Sequence, residues 1–272
     1  MSVPEPSLPI QKPERYAVVT GASRGLGKAF AEELARRGIP TVLISSNPAI
    51  SDLCQHLRQT YHVQSEFVVA DLTQEEEVLT AASEINAKYE VFLLVNNAGL
   101  GGSQAFEKTD VDYIRKILHL NVMATSLLTR QLLPNLLRQG RAFILNVSSL
   151  VALTPVGYKM VYPASKAFIN TFSFGLRAEF RHRGLSVSIV SPGAMATSEG
   201  IRKRIAKQGL FGRLTLVSPE KVARKSISQT LRGKKEIVVN PFSHLFQKLL
   251  PNCIKTPLLT RIVRREIRGD QG

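Results

Sequence analysis

Tyr162 and Lys166 stand four residues apart in the run YPASK. On a helix, residues i and i+4 share a face, so both side chains can enter one cleft. A phenol with an ordinary pKa near 10 is a poor acid–base group at neutrality. An ammonium beside it favours the phenolate. Such a phenol can give a proton to a carbonyl oxygen or take one from an alcohol. Ser148 and Ser149 close the run FILNVSS, and a hydroxyl there can hold a substrate oxygen against the phenol. Asn121 falls inside a long helical pattern, where an amide competes with the backbone. It reads either as a functional group or as a satisfied structural amide.

A second constellation binds rather than reacts. The apolar run Tyr16–Thr20 leads into GASRGLG and then a helical pattern. Gly21 permits a tight turn, Gly25 lets backbone approach a phosphate, and Gly27 lets helix and strand pack closely. The helix start offers free N–H groups and partial positive charge to a pyrophosphate. Ser23, Arg24 and Leu26 lie in the same turn. The second apolar run ends in Ser45, Ser46 and Asn47, where an NAD enzyme places an acid for the ribose 2′-hydroxyl. Arg24 is placed to meet a 2′-phosphate instead. Asp71, followed by Leu72, ends the third run and suits an adenine amino group. The expected cofactor is therefore NADP(H), with NAD(H) as the alternative.

The elements that must position these groups alternate along the chain. Apolar runs rich in β-branched residues cover Tyr16–Thr20, Thr41–Ser45, Gln64–Ala70, Val91–Asn96, Ala142–Ser148, Ser186–Ser191 and Glu236–Asn240. Helical patterns fall near 25–37, 49–60, 74–88, 110–138, 161–182 and 218–231. Strands alternating with helices require a parallel sheet, because parallel neighbours need a crossover. Continuous apolar strands are buried on both faces. The fold class is α/β: a single doubly wound, Rossmann-type sheet of about seven strands with helices on both faces. Right-handed crossovers predict strand order 3-2-1-4-5-6, with the seventh at the edge. Each motif above ends a strand on the ligand-binding side.

TGASRGLG at 20–27, NNAG at 96–99, Asn121, Ser149, YPASK at 162–166 and SPG at 191–193 resemble the short-chain dehydrogenase/reductase family. They match in order and spacing over roughly residues 14–240. The resemblance implies an oxidoreductase acting on CH–OH or C=O with NAD(P). Its implied tetrad is Asn121, Ser149, Tyr162 and Lys166. The family's usual spacing before the tyrosine selects Ser149 over Ser148. By the same resemblance, Asn97, Ala98 and Gly99 lie near the cofactor ribose, which Lys166 and Tyr162 also approach. Asn121 holds a water linking Lys166 to solvent, and Pro192, Gly193 and Thr197 fix the nicotinamide carboxamide.

The substrate end is less legible. Leu150, Val151 and Met195 are the substrate contacts expected, with Leu153, Val156, Leu210 and Phe211 as further apolar residues bordering the pocket. They suit a hydrophobic carbonyl, or else pack beneath a lid. Cys54 and Cys253 form neither a disulfide framework nor a metal-ligand spacing, and no metal is expected.

Residues 1–14 read as a loose leader, 15–240 as one catalytic domain, and 241–272 as a basic extension of that domain. The leader has no apolar signal-peptide core, and no apolar run approaches the ~18 residues that span a bilayer. A cytoplasmic location is expected, at most peripheral to a membrane. The net charge of +15 is concentrated: residues 201–272 carry 17 Lys and Arg against four acids. Such asymmetry points to an anionic partner, unless it is only a solvated face. FSHLFQKLL and TPLLTRIVRREIRG read as two short basic amphipathic helices broken at Pro251 and Pro257. They can lie on an anionic membrane, dock on their own domain, or bind a partner. The tail resembles that of members related to hydroxysteroid and long-chain 3-ketoacyl reductases. No aromatic platform or recognition helix accompanies the charge, so nucleic acid is not expected. Phe168, Phe172 and Phe174 on the helix 161–182 suit a homodimer. The competing reading is a cofactor-bound regulatory or membrane-surface protein on the same fold with little turnover; the complete tetrad argues against it.

Overall fold

The computed structural model describes residues 14–193, 195, 216–241, 245 and 249–268. Seven strands form one parallel sheet in the order β3-β2-β1-β4-β5-β6-β7. The strands are β1 (Arg15–Thr20), β2 (Thr41–Ser45), β3 (Ser65–Val69), β4 (Glu90–Asn96), β5 (Ala142–Val147), β6 (Leu185–Val190) and β7 (Glu236–Ile237). The expected order holds, and chain direction reverses its progress between β1 and β4. β7 pairs over two residues only, shorter than the apolar run Glu236–Asn240 suggested.

Among the described residues there are eight α-helices, most of them packed on the sheet: α1 (Gly25–Arg36), α2 (Ile50–Tyr61), α3 (Glu75–Lys88), α4 (Val111–Leu118), α5 (Ala124–Arg138), α6 (Val161–Phe180), α7 (Pro219–Leu231) and α8 (Asn252–Arg268). Successive side chains along a strand point to opposite faces, and both faces are apolar. Ala17, Val19, Leu43, Leu145 and Val147 pack with Phe30, Leu34 and Leu57 of α1 and α2 and Ile227 of α7. Val18, Val42, Ile44 and Ile144 pack on the other face with Ile85, Leu128 and Leu132 of α3 and α5. A sheet sandwiched in this way leaves its strand ends, where the motifs lie, open to a ligand.

Two expectations about helices are corrected. The pattern at 110–138 is not one regular helix: a π turn at His119–Met123 joins α4 to α5. Pro257 does not break the tail, because it lies inside α8. Near a helix start the leading amides have no intrahelical acceptor. Pro257 lies just beyond those amides, so it forgoes one hydrogen bond and crowds the carbonyl four residues before it, and burial of Leu259 and Val263 against Val156 offsets that cost.

Candidate active site

The phosphate turn is built at the end of β1. Gly21 and Gly25 adopt φ of 64° and 57°, a left-handed conformation that glycine reaches without strain. A β-carbon on Gly27 would stand 2.1 Å from the carbonyl oxygen of Gly21, so helix and strand meet at backbone distance. α1 has no side-chain cap and no acid in its first turn. Its leading amides and dipole suit an anion. Ser23 is half-buried, Leu26 is buried beneath the turn, and Arg24 is exposed at the helix start. No acid stands at the end of β2, where Ser46 is exposed. These residues fit a dinucleotide bearing a 2′-phosphate.

Several residues expected at the cofactor also bond within the protein. Ser45 is buried, and its Oγ accepts the amide of Asn47 at 3.0 Å. Asp71 Oδ1 accepts the amide of Thr73 at 3.0 Å, and Leu72 is buried in the core. Asn97 Nδ2 donates to the carbonyls of Thr20 and Gly21 at 2.9 and 3.3 Å. It clips β4 to the phosphate turn. Ala98 packs against Gly21, whose added β-carbon would lie 2.9 Å from Ala98 Cα. Gly99 occupies the gap between Asn121 Oδ1 and Lys166 Nζ, each 3.3 Å from the β-carbon it lacks. Pro192 and Gly193 follow β6 after Ser191, and Pro192 O accepts the amide of Leu150 at 3.2 Å. Thr197 lies outside the described residues, as do Leu210 and Phe211.

The chemistry-bearing side chains converge at the end of β5. Ser149 starts a short 3₁₀ turn, Leu150–Leu153, its Oγ accepts the amide of Val151 at 3.4 Å, and its hydroxyl lies beside Tyr162, where it favours the phenolate. Ser148 is committed elsewhere: its Oγ donates to the carbonyl of Lys166 at 3.1 Å. Lys166 is 5% exposed, and its ammonium donates to the carbonyl of Val147 at 2.8 Å. It lies 5.9 Å from the Tyr162 ring centroid. Burial lowers the Lys166 pKa to about 8. Burial raises that of Tyr162, and the Ser149 hydrogen bond pulls it partly back. The sequence reading expected Lys166 to lower it. Here the ammonium is turned to Val147, and desolvation prevails.

Asn121 sits within the π turn. Its Oδ1 accepts the amide of Leu100 at 2.8 Å, and its Nδ2 donates to Leu100 O and Ser165 Oγ, each at 2.9 Å. The widened turn frees the amide from its own helix and lets it pin the strand-4 loop to α6. In this geometry the side chain is bonded to protein atoms, with its Oδ1 across the Gly99 gap from Lys166 Nζ. Ser165 in turn donates to Tyr162 O at 2.7 Å.

The sequence model of the short chain dehydrogenase family matches residues 15–208, most of the chain. The chain belongs to the short-chain dehydrogenase/reductase family. Among curated relatives it is 36% identical over 187 residues to the very-long-chain 3-oxoacyl-CoA reductase of Anas platyrhynchos, covering 67% of this chain and 60% of the relative. It is 34% identical over 187 residues to the inactive hydroxysteroid dehydrogenase-like protein 1 of Homo sapiens, covering 68% and 57%. The matched part thus spans about 60% of the length of these relatives. The bulky-bulky ketone specific alcohol dehydrogenase of Comamonas testosteroni superposes with a TM-score of 0.73 at 26% identity, covering 84% of this chain and 87% of that one. A short-chain dehydrogenase from Sphingobium yanoikuyae in complex with NADPH gives 0.74 at 25%, covering 94% and 96%.

Within this family member the residues expected at the substrate separate. Leu150 is buried and Val151 half-buried beside Ser149. Met195 is half-buried and packs against the core cluster that includes α1 and α7. Val156 packs beneath α8. Three contributors went unnoticed in the sequence. Thr20 Oγ1 accepts the amides of Asn97 and Ala98, both at 2.9 Å, and so holds the loop after β4. Ser165 links Asn121 to Tyr162. Gly101 leaves room for the Tyr162 ring. The adjacency of Thr20 to Gly21 and of Ser165 to Lys166 was the available signal; nothing local marks Gly101.

Among the described residues no group of three or more His, Cys, Asp or Glu could hold a metal. Among them, too, no helix is long and apolar enough to cross a membrane.

Proposed function

We propose that the protein is an NADP(H)-dependent oxidoreductase that interconverts a hydrophobic carbonyl compound and its secondary alcohol. The observation that carries this reading is the convergence of Ser149, Tyr162 and Lys166 at the end of β5, on the same sheet edge as the glycine turn of β1. Arg24 and the acid-free end of β2 support the phosphorylated cofactor. So does the relative whose structure holds NADPH. When bound, the nicotinamide supplies or accepts the hydride.

The chain's own residues do the rest. The amides of α1 hold the pyrophosphate, and Arg24 holds the 2′-phosphate. Ser149 Oγ donates to the substrate carbonyl oxygen and holds it at Tyr162. Tyr162 Oη gives its proton to that oxygen as the carbon gains hydride, and takes it back in the reverse direction. Lys166, bonded to Val147 O and 5.9 Å from the Tyr162 ring centroid, would hold the nicotinamide ribose on leaving that carbonyl and then favour the phenolate left on Tyr162. Asn121 keeps Leu100 and Ser165 in place, and with them the carbonyl side of Tyr162. Atoms balance: hydride to carbon and proton to oxygen convert C=O to CH–OH.

Leu150 and Val151 beside Ser149 favour an apolar substrate. The relatives named for very-long-chain 3-oxoacyl-CoA and for bulky ketones agree with that. Phe168 is exposed and stacks on Phe172 with centroids 5.6 Å apart. That aromatic face on α6 suits a second copy, which sedimentation of the protein tests. The deciding experiment is NADPH oxidation across medium-chain ketones, 3-ketoacyl thioesters and ketosteroids. Turnover of at least one class that disappears in Tyr162→Phe is the expected result. A chain that binds NADPH but reduces none of the three classes would instead be a cofactor-bound regulator.

A further inference from the structure

The two sides of α8 are used differently. The inner side is committed to the domain. Leu259 and Val263 are buried against Val156, and Gly157 N donates to Thr260 Oγ1 at 2.9 Å. A β-carbon on Gly157 would stand 2.7 Å from Thr260 Cγ2, so the helix lies in close contact with this loop. The same loop leads directly into Tyr162.

The outer side is apolar at its start and cationic at its end. Ile254 is 52% exposed and Leu258 43% exposed. Residues 254, 258, 261 and 265 fall within about 60° of one another on a helix of 3.6 residues per turn. Arg261 and Arg265 therefore continue the stripe that Ile254 and Leu258 begin, with Arg264 exposed beside it. Just before the helix, Leu245 and Leu249 are 57% and 72% exposed. No Asp or Glu occurs between Ile237 and Arg265. A single exposed leucine means little. Exposed aliphatics followed by arginines, on one side of a helix whose opposite side is already buried, match the boundary between acyl chains and anionic headgroups.

We propose that this outer side of α8 docks on an anionic lipid bilayer, with Ile254 and Leu258 in the acyl boundary and Arg261, Arg264 and Arg265 among the headgroups. A second copy of the chain is disfavoured as the occupant, because the stripe would meet its own positive charge. The element that rests on lipid is thus also the element that braces the loop before Tyr162. The inference does not depend on the oxidoreductase reading, since NADPH oxidation is measured without lipid.

The test is co-sedimentation of the full chain with vesicles at about 0.15 M ionic strength. One set is phosphatidylcholine alone, and the other includes roughly 30% phosphatidylserine. Binding to the anionic vesicles and not to the neutral ones is expected. Ile254→Glu with Leu258→Glu should weaken it at least about tenfold. Arg261→Gln or Arg265→Gln should each weaken it about fivefold. Unfolding temperatures should stay near that of the parent, because all four side chains are on the surface. If the glutamate pair lowers the unfolding temperature, a serine pair replaces it with the same expected direction. No vesicle binding, or binding indifferent to the apolar substitutions, overturns the proposal. It is equally overturned if the glutamate pair converts a dimer to a monomer and leaves vesicle binding intact.

Discussion

The ring of Tyr162 lies directly over the backbone of Gly101, where an added β-carbon would stand 2.7 Å from Cδ2, 2.9 Å from Cε2 and 3.0 Å from Cγ. Real β-carbons do not come so close, so any side chain at 101 must move the ring. Gly101→Ala is expected to lower kcat by about ten- to a hundredfold, the cost of misplacing a reacting group by around an ångström. NADPH affinity should change little, because the phosphate turn lies elsewhere. Steady-state kinetics with a fluorescence titration of NADPH separates the two; equal kcat in both proteins would place the proton donor elsewhere.

Tyr162→Phe removes the hydroxyl but keeps the ring that packs on Gly101. Turnover should fall by about 10²- to 10⁴-fold, the range for a lost acid–base group, with NADPH binding nearly intact. Because burial holds the Tyr162 proton to higher pH, carbonyl reduction should stay level through neutrality. Alcohol oxidation needs the phenolate and should rise with alkaline pH. A reduction rate that climbs with pH would contradict this assignment of roles.

Lys166 gives a stability signature with a definite sign. Its pKa is lowered from 10.5 to about 8 by burial. Between those values the unfolded chain holds a proton that the folded chain has released, so stability rises with pH across that window. Below it, the full cost of burying an ammonium is present. Lys166→Met should therefore stabilise the cofactor-free protein at pH 7, by up to about 3 kcal/mol. The difference should shrink towards pH 10.5. Urea unfolding of both proteins across this range checks it, and a gap that widens with pH would reverse the reading.

Arg24 sets the cofactor preference in the proposed function. Arg24→Ala should weaken NADPH binding about ten- to a hundredfold, the value of a charge-assisted contact, and leave NADH unchanged. The ratio of the two dissociation constants is the measurement. An unchanged ratio would leave the 2′-phosphate without its proposed partner.

Thr260→Val keeps the shape of the side chain over Gly157 but removes the acceptor at 2.9 Å. The half-buried amide of Gly157 then loses its partner, at a cost of about 1 kcal/mol. Because the loop runs on to Tyr162, KM for the carbonyl should rise while NADPH affinity holds. Hydrogen exchange at Gly157 reads the contact directly, and unchanged protection would show that α8 does not brace the loop.

The sequence by itself determined the order and direction of the elements. Apolar runs long enough for strands alternate with helical patterns, and parallel pairing with right-handed crossovers leaves the sheet order β3-β2-β1-β4-β5-β6-β7. Its glycines also marked the turn that must approach a phosphate, because glycine reaches the φ values at Gly21 and Gly25 without strain. Tertiary structure decided which polar atoms meet. Ser148 and Ser149 are neighbours of the same type, yet one donates to the backbone of Lys166 while the other accepts the amide of Val151 and lies beside Tyr162. Asn121 finds Leu100 and Ser165 only because a π turn widens its helix there. Met195 packs against the core, and Pro257 stays helical because Leu259 and Val263 are buried. Periodicity is written locally, since each element buries its own repeating face. A hydrogen bond between residues far apart in sequence depends on how closely two packed elements approach, and that distance exists only in the folded chain.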